Sequence, residues 1–231
     1  MKTAIKFTCL LMILGFSLTS CKQETPGTKA TTGEAIKTTT NTATADATTY
    51  MVDAANSKII WAGAKPGKVH SGTINIAKGT ISAANNNITK GMFMIDMTSL
   101  EVTDLQAGSG KEQLEAHLKG TVEEKRDDFF NVKEFPSATF EIASVTPAAA
   151  GGDATHNITG NLTLKGQTKS ITFPASVQIA GNSLSAVSLP FKIDRTEWGI
   201  KFMSKSILDD LKDGFVEDEV SLTINLMAKK G

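Results

Sequence analysis

Three histidines, two strand-end aspartates and a handful of bases are the side chains in this sequence best suited to chemistry. His70, His117 and His156 fall on different predicted elements, and none has a His, Cys or carboxylate neighbour at metal-ligand spacing. No zinc site is expected from them. His70 and His117 read either as polar groups meeting a ligand headgroup at a pocket mouth or as structural hydrogen bonds tying a helix to a sheet. Asp96 follows Met92-Phe93-Met94-Ile95, and Asp194 follows Phe191-Lys192-Ile193, so each closes an apolar strand. Two facing acids would make a glycosidase pair. More often such an aspartate caps a turn or pairs with an adjacent base, and Arg195 stands beside Asp194. No G-x-S-x-G occurs, so serine acyl chemistry has no motif to rest on. Lys65, Lys68, Lys165, Lys169 and Arg195, if gathered at one end of a fold, would suit an anionic headgroup such as a pyrophosphate. Scattered on hairpin tips, they serve only solubility. No catalytic residue, metal ligand or cofactor is nominated.

The apolar constellation is denser than the polar one. Asp128 to Ile142, DFFNVKEFPSATFEI, carries Phe129, Phe130, Phe135 and Phe140 around the start of an alternating strand. Phe191 to Phe202, FKIDRTEWGIKF, has the same character and contains Trp198. With Trp61, Phe93 and Phe173 these aromatics exceed what plugging a small barrel requires, in a chain only 6% aromatic. Met92, Met94, Met97 and Met203 add adaptable surface. Such a set either fills a solid core or lines a cavity, and the residues alone leave both open.

These residues must be positioned by strands. From Tyr50 onward, period-two segments alternate with Gly and Asn turns. Lys58–Ala64, Val69–Ala77, Thr80–Asn85 and Lys90–Met97 are predicted strands, with Gly79 and Asn85-Asn86-Asn87 as turns. A break from Thr98 to Asn131 holds a short amphipathic helix over Lys111–Lys119, with Leu114 and Leu118 on one face. Strands resume at Ala138–Val145, Asn157–Lys165, Lys169–Ile179 and Leu184–Ile193. A helical turn is predicted at Ser206–Lys212, before a last strand at Glu219–Ala228. One wet face and one dry face over about eight strands indicate a sandwich or an up-and-down barrel, which composition cannot separate.

The ends set the compartment. Met1 to Lys6 is basic and Phe7 to Leu18 apolar, too short a run to span a bilayer comfortably. Leu18-Thr19-Ser20-Cys21 resembles the lipobox of bacterial lipoproteins, which implies removal of residues 1–20 and acylation at Cys21; an ordinary secretory leader with a chance cysteine is the alternative. Cys9 is then discarded and Cys21 carries lipid, leaving the mature domain without disulfide or thiol chemistry. Membrane attachment would run through that acyl anchor alone, placing the protein in the cell envelope, facing periplasm or cell surface. Residues 21–49, rich in Thr and Ala without hydrophobic period, read as a flexible tether holding the domain about 30 Å from the membrane. The sequence has 24 basic and 24 acidic residues, and losing Lys2 and Lys6 leaves a slight acidic excess. Nucleic acid is therefore not an expected partner.

Together the two aromatic blocks and GNLTLKGQTKSITFP at 160–174 resemble the YceI family of bacterial lipocalin-like proteins, over about Tyr50 to Ala228. The resemblance implies an all-β fold, a lipocalin-like eight-stranded antiparallel β-barrel with one or two short helices near its mouth, as a domain over 50–231. It also implies an elongated hydrophobic tunnel binding a long-chain lipid such as a polyisoprenoid, an isoprenoid quinone, or a fatty amide or acid. Residues placed in that tunnel are Trp61, Phe93, Ile95, Leu114, Leu118, Phe129, Phe130, Phe135, Phe140, Ile142, Leu162, Phe173, Phe191, Trp198 and Phe202. His70, His117 and Arg195 are placed at a polar mouth, the two histidines matching histidines of the family pattern. A homodimer stays open. The chain departs from the compact family pattern at Gly120 to Asp128, GTVEEKRDD, a charged insertion where the helix hands over to the aromatic block. At about 0.8 kcal/mol per buried methylene, twenty carbons give about 16 kcal/mol gross. Association costs of about 4–15 kcal/mol still leave room for micromolar binding. The rival classes are a lipid or glycan hydrolase using Asp96 and Asp194, and a ligand-free structural domain with a filled barrel.

Overall fold

The computed structural model describes residues 24–38, 47–212 and 214–231; the expected leader and Cys21 lie outside them. In chain order the strands are β1 (Thr28–Lys29), β2 (Thr31–Glu34), β3 (Thr48–Val52), β4 (Lys58–Lys65), β5 (Lys68–Ala84) and β6 (Asn87–Val102). Helix α1 (Lys111–Lys119) follows, then β7 (Ser137–Pro147), β8 (His156–Leu164), β9 (Gln167–Ala180), β10 (Ser183–Ser188), β11 (Phe191–Asp194) and β12 (Glu219–Lys230). Among the described residues no helix is long and apolar enough to cross a membrane.

Eight wall positions close into a ring. From β4 each strand pairs antiparallel with the next through β5, β6, β7, β8, β9 and β10, and β12 joins β10 back to β4. β3 extends the β4 position by pairing with both β5 and β12, and β11 continues β10 beyond Leu189-Pro190. Closure gives every strand of the ring a partner on both sides, which is how an antiparallel sheet avoids edges. The alternation read from the sequence supplies the inner face: Ile158, Leu162 and Leu164 of β8 and Ile171, Phe173 and Ala175 of β9 are buried. The hairpin at Gly67, the Gly166 turn and α1 lie at one end, here the upper; Asn85-Asn86 and Gly181 turn the chain at the lower end.

Two sequence expectations are corrected. Gly79 is not a turn, because Lys68–Ala84 runs as one strand. The register with β6 shifts between Ile76 and Lys78, so the buried set changes phase from Ile74 and Ile76 to Ile81 and Ala83. A bulge breaks period two without ending a strand. Glycine stands there because a Cβ would lie 2.7 Å from the Phe93 ring and 2.8 Å from the Met92 carbonyl. Second, Ser206–Lys212 forms irregular turns, since Asp210 and Lys212 take left-handed φ values of 66° and 47° that no α-helix accepts. The helical turn at this end is instead a 3-10 turn, Arg195–Trp198.

A third correction concerns the tether. Residues 25–36 are stitched into the barrel. β9 meets β10 only over Ala175–Ala180, and over Lys169–Thr172 its edge is taken by β2. β1 pairs in parallel with β11, and Ala30 N–H donates to the Lys192 carbonyl at 2.8 Å. The segment therefore fills the seam between β9 and β11. Ser221 Oγ donates to the Pro26 carbonyl at 2.6 Å, and the Asn161 side chain holds both backbone groups of Ile36, at 2.9 and 2.7 Å. Backbone pairing, which needs no hydrophobic period, holds a stretch that composition reads as disordered. Asn161→Ala should cost about 1–3 kcal/mol, the penalty for unpairing the Ile36 groups. Urea midpoints and lost amide protection over Thr31–Glu34 would check this.

Candidate functional site

The upper half of the barrel encloses a cavity of about 280 Å³, and a lower chamber of about 70 Å³ continues beneath it. Ile59 and Ile95 line both and stand between them. β4 and β6 supply Trp61, Ile95 and Met97 to the upper chamber, and β8 supplies Leu162 and Leu164. Leu114, His117 and Leu118 of α1, with Phe129 and Phe130 from the following loop, form its lid, and Phe202 packs against that lid beside them. Phe93, Phe140, Ile142 and Phe173 line the lower chamber. Phe93 and Phe140 stack at 6.3 Å, and Phe140 tilts against Phe173 at 5.7 Å.

Three of the predicted lining residues lie elsewhere. Phe191 is buried behind Phe173, stacked at 4.4 Å, and Trp198 is wholly buried with its indole N–H donating to the Leu162 carbonyl at 3.0 Å. Phe135 packs against Gly166 at the upper hairpin tip. These aromatics are wall packing rather than lining, and periodicity cannot distinguish a ring facing the cavity from one wedged behind it. Sequence reasoning missed Ile59 and Ile200, ordinary aliphatics that carry no local signal for a cavity.

Most polar groups of the rim are engaged within the protein, and Lys65 lines the cavity beside them. His70 Nδ1 lies 2.9 Å from Asp104 Oδ2, and Asp104 Oδ1 accepts from the Ser71 N–H. Burial works against the Asp104 charge, yet those hydrogen bonds hold its carboxyl below the ordinary aspartate value. His117 Nε2 lies 2.7 Å from Asp128, while its ring sits edge-on to Phe129 and Phe202 at 5.1 and 4.9 Å. The charged insertion thus supplies Asp128, which pins the lid histidine. His156 is away at the lower end, against Thr155.

Arg195 lines the cavity but spends its donors on protein. Its side chain donates to the carbonyls of Ile200, Phe202, Val216 and Glu217 at 2.8–3.1 Å and to Asp218 at 3.4 Å. Of the five bases, Lys65 and Arg195 line the upper chamber and the other three do not. Lys165 donates to the Asp127 carbonyl at 2.8 Å, and Lys169 pairs with Glu34 of the N-terminal segment at 2.7 Å. Asp96 and Asp194 each accept from the N–H and hydroxyl of a threonine two residues on, Thr98 and Thr196. Both acids cap turns; neither lines the two barrel chambers, and Asp194 borders only a polar hollow outside them. Among the described residues no three His, Cys, Asp or Glu side chains gather as a metal ligand set.

A closed antiparallel barrel with an apolar chamber under a helical lid is the architecture of lipocalin-like binding proteins. The family model for the YceI-like domain matches residues 50–228, and the chain belongs to that family. Among solved structures, Burkholderia cenocepacia BcnA is similar over 77% of this chain and 99% of its own, at 24% identity and a TM-score of 0.57. A polyisoprenoid binding domain from Saccharophagus degradans, implicated in plant cell wall breakdown, is similar over 79% of this chain and 98% of its own, at 15% identity and a TM-score of 0.53. Both likenesses support the fold. No curated protein matches the chain.

Burial opposes ionisation of Asp218, but hydrogen bonds from Ser206 and Ser204 and the Arg195 charge bring its carboxyl below the ordinary value. A carboxylate with a depressed folded pKa stabilises above its unfolded value, about 3.9, and loses that contribution as pH falls through the folded one. Asp218→Asn should therefore lower stability at neutral pH and flatten the acid limb of a thermal-melt profile below about pH 4. Arg195→Met should cost about 3–5 kcal/mol, because it strands Asp218 and four carbonyls, readable as a fall in the urea midpoint.

Proposed function

We propose that the chain is a lipid-anchored envelope protein whose barrel binds or carries a long-chain apolar molecule, an isoprenoid lipid or quinone first, a fatty amide or acid next. The observation that carries this reading is the apolar upper chamber set above a second apolar chamber, with Ile59 and Ile95 lining both. Ligand pockets commonly run from about 300 to 1,000 Å³. A chamber of about 280 Å³ suits the proximal part of a slender chain, whose distal part passes between the isoleucines. His70, His117 and Arg195 at the rim are paired internally and the lining is mostly apolar, so affinity rests chiefly on buried methylenes. Family membership supports a binding role, as does the description of the Saccharophagus degradans domain as polyisoprenoid binding. The anchor reading is supported by Leu18-Thr19-Ser20-Cys21 alone.

Purification from a bacterium, native mass spectrometry and organic extraction test the proposal. One stoichiometric adduct that extracts as an isoprenoid or acyl species is expected. A protein that stays apo after incubation with bacterial lipid extract would sink it. Ile95→Trp should close the passage at an overpacking cost of about 1–3 kcal/mol. Affinity for a long polyprenyl probe should then fall while a short one still binds, measured by competition with a fluorescent fatty amide.

A further inference from the structure

The point where the chain enters the barrel fixes how the barrel meets a membrane. Because residues 25–36 are built into the wall, they are not available as a spacer. Gly27 shows how tight the fit is: its φ is 109°, and a Cβ there would lie 2.7 Å from Pro190. Thr25 is itself buried, and Glu24 and Thr25 share an outer hollow with Lys192, Lys205, Glu217 and Glu219. Ala64 and Glu217 belong to that hollow and to the cavity lining alike, so the described chain begins beside the cavity rim. From Cys21 to Glu24 there are three peptide steps, about 10 Å at full extension. The loop above the same rim carries two large apolar side chains in water, Ile207 at 45% and Leu208 at 44% exposure. Its base is fixed by Val216 N–H donating to the Met203 carbonyl at 2.8 Å and by the Lys205–Glu217 ion pair.

We infer that the rim loop bearing Ile207 and Leu208 docks on the lipid bilayer, held there by the short spacer between Cys21 and the wall segment, so that the cavity mouth faces the leaflet carrying the anchor. The occupant of this surface is a lipid interface, because the chain leading from it ends in the acylated residue. Two acyl chains at Cys21 supply the binding strength, and two exposed aliphatics set the tilt at little cost. An apolar ligand then moves between leaflet and cavity without crossing water. The inference rests on the anchored-carrier reading above and replaces the expected stand-off of the domain from the membrane by direct contact.

The test uses the full acylated chain, its intact mass verified, in vesicles of phosphatidylethanolamine and phosphatidylglycerol. Leu208→Cys and, at the opposite end, Asn86→Cys are each labelled with bimane. The Leu208→Cys label should shift to the blue and be quenched by nitroxides on lipid acyl chains, while the Asn86→Cys label should do neither. A long Gly-Ser insertion between Gln23 and Glu24 should abolish the difference. An acylated chain whose two labels are equally wet overturns the inference and leaves the anchor and carriage readings intact. A blue-shifted label unaffected by the insertion overturns the role of the spacer. A mass without acyl chains overturns the anchor reading together with the inference, while carriage is judged separately by the native adduct.

Discussion

A single buried cation organises the mouth of this barrel. Arg195 is 4% exposed, and a guanidinium taken out of water must have its donors satisfied. It finds acceptors on Ile200, Phe202, Val216 and Glu217, four residues from two separate stretches that have no regular pairing of their own. Drawing them together fixes Phe202, whose ring packs edge-on to His117. His117 in turn is held by Asp128 and packs on Phe129, so the lid is positioned through a chain of contacts that begins at one charge. A hydrophobic residue in the same place would pack but would leave the irregular backbone unpaired.

The cavity persists because its walls are held from outside its lining. A solid core maintains its shape by side-chain interdigitation, and removing atoms from it leaves a void that costs stability. Here the hydrogen-bonded ring sets the diameter, while aromatics such as Phe191 and Trp198 are wedged behind the lining and stiffen it. The inner surface can therefore stay apolar and vacant of side chains without collapsing. The turn-capping aspartates, Asp96 and Asp194, do similar service at strand ends by satisfying backbone donors where ladders stop.

What the sequence made legible followed from period two. Wherever one face was dry and the other wet, as in β8, β9 and β12, the strands lay where alternation put them. Alternation failed at the bulge in β5, where the change of phase imitates a turn at Gly79. It was silent over Thr28–Glu34, because Thr and Gly joined by backbone bonds leave no hydrophobic trace. The aromatic blocks pointed to the right region of space, yet only coordinates separate Phe129, which faces the chamber, from Phe135, which packs on a hairpin tip. Arg195 was legible as a functional position but not as a structural one, since its acceptors are main-chain carbonyls that any residue type provides.

The parallel pairing of β1 with β11 bears on the order in which the molecule is assembled. Pro26 is separated from Ser221 by 195 residues, and Ile36 from Asn161 by 125. Contacts that distant must wait for the intervening chain to organise, because loop closure costs entropy before any bond returns it. Closure of the ring is comparably distant, since β12 meets β4 across the 159 residues between Ala62 and Ser221, so the wall segment and the closing strand share that cost. Without the segment, the seam between β9 and β11 is unsealed and the barrel has a lateral slot. Docked there, the segment is a local increment of stability, the kind of unit that opens without global unfolding.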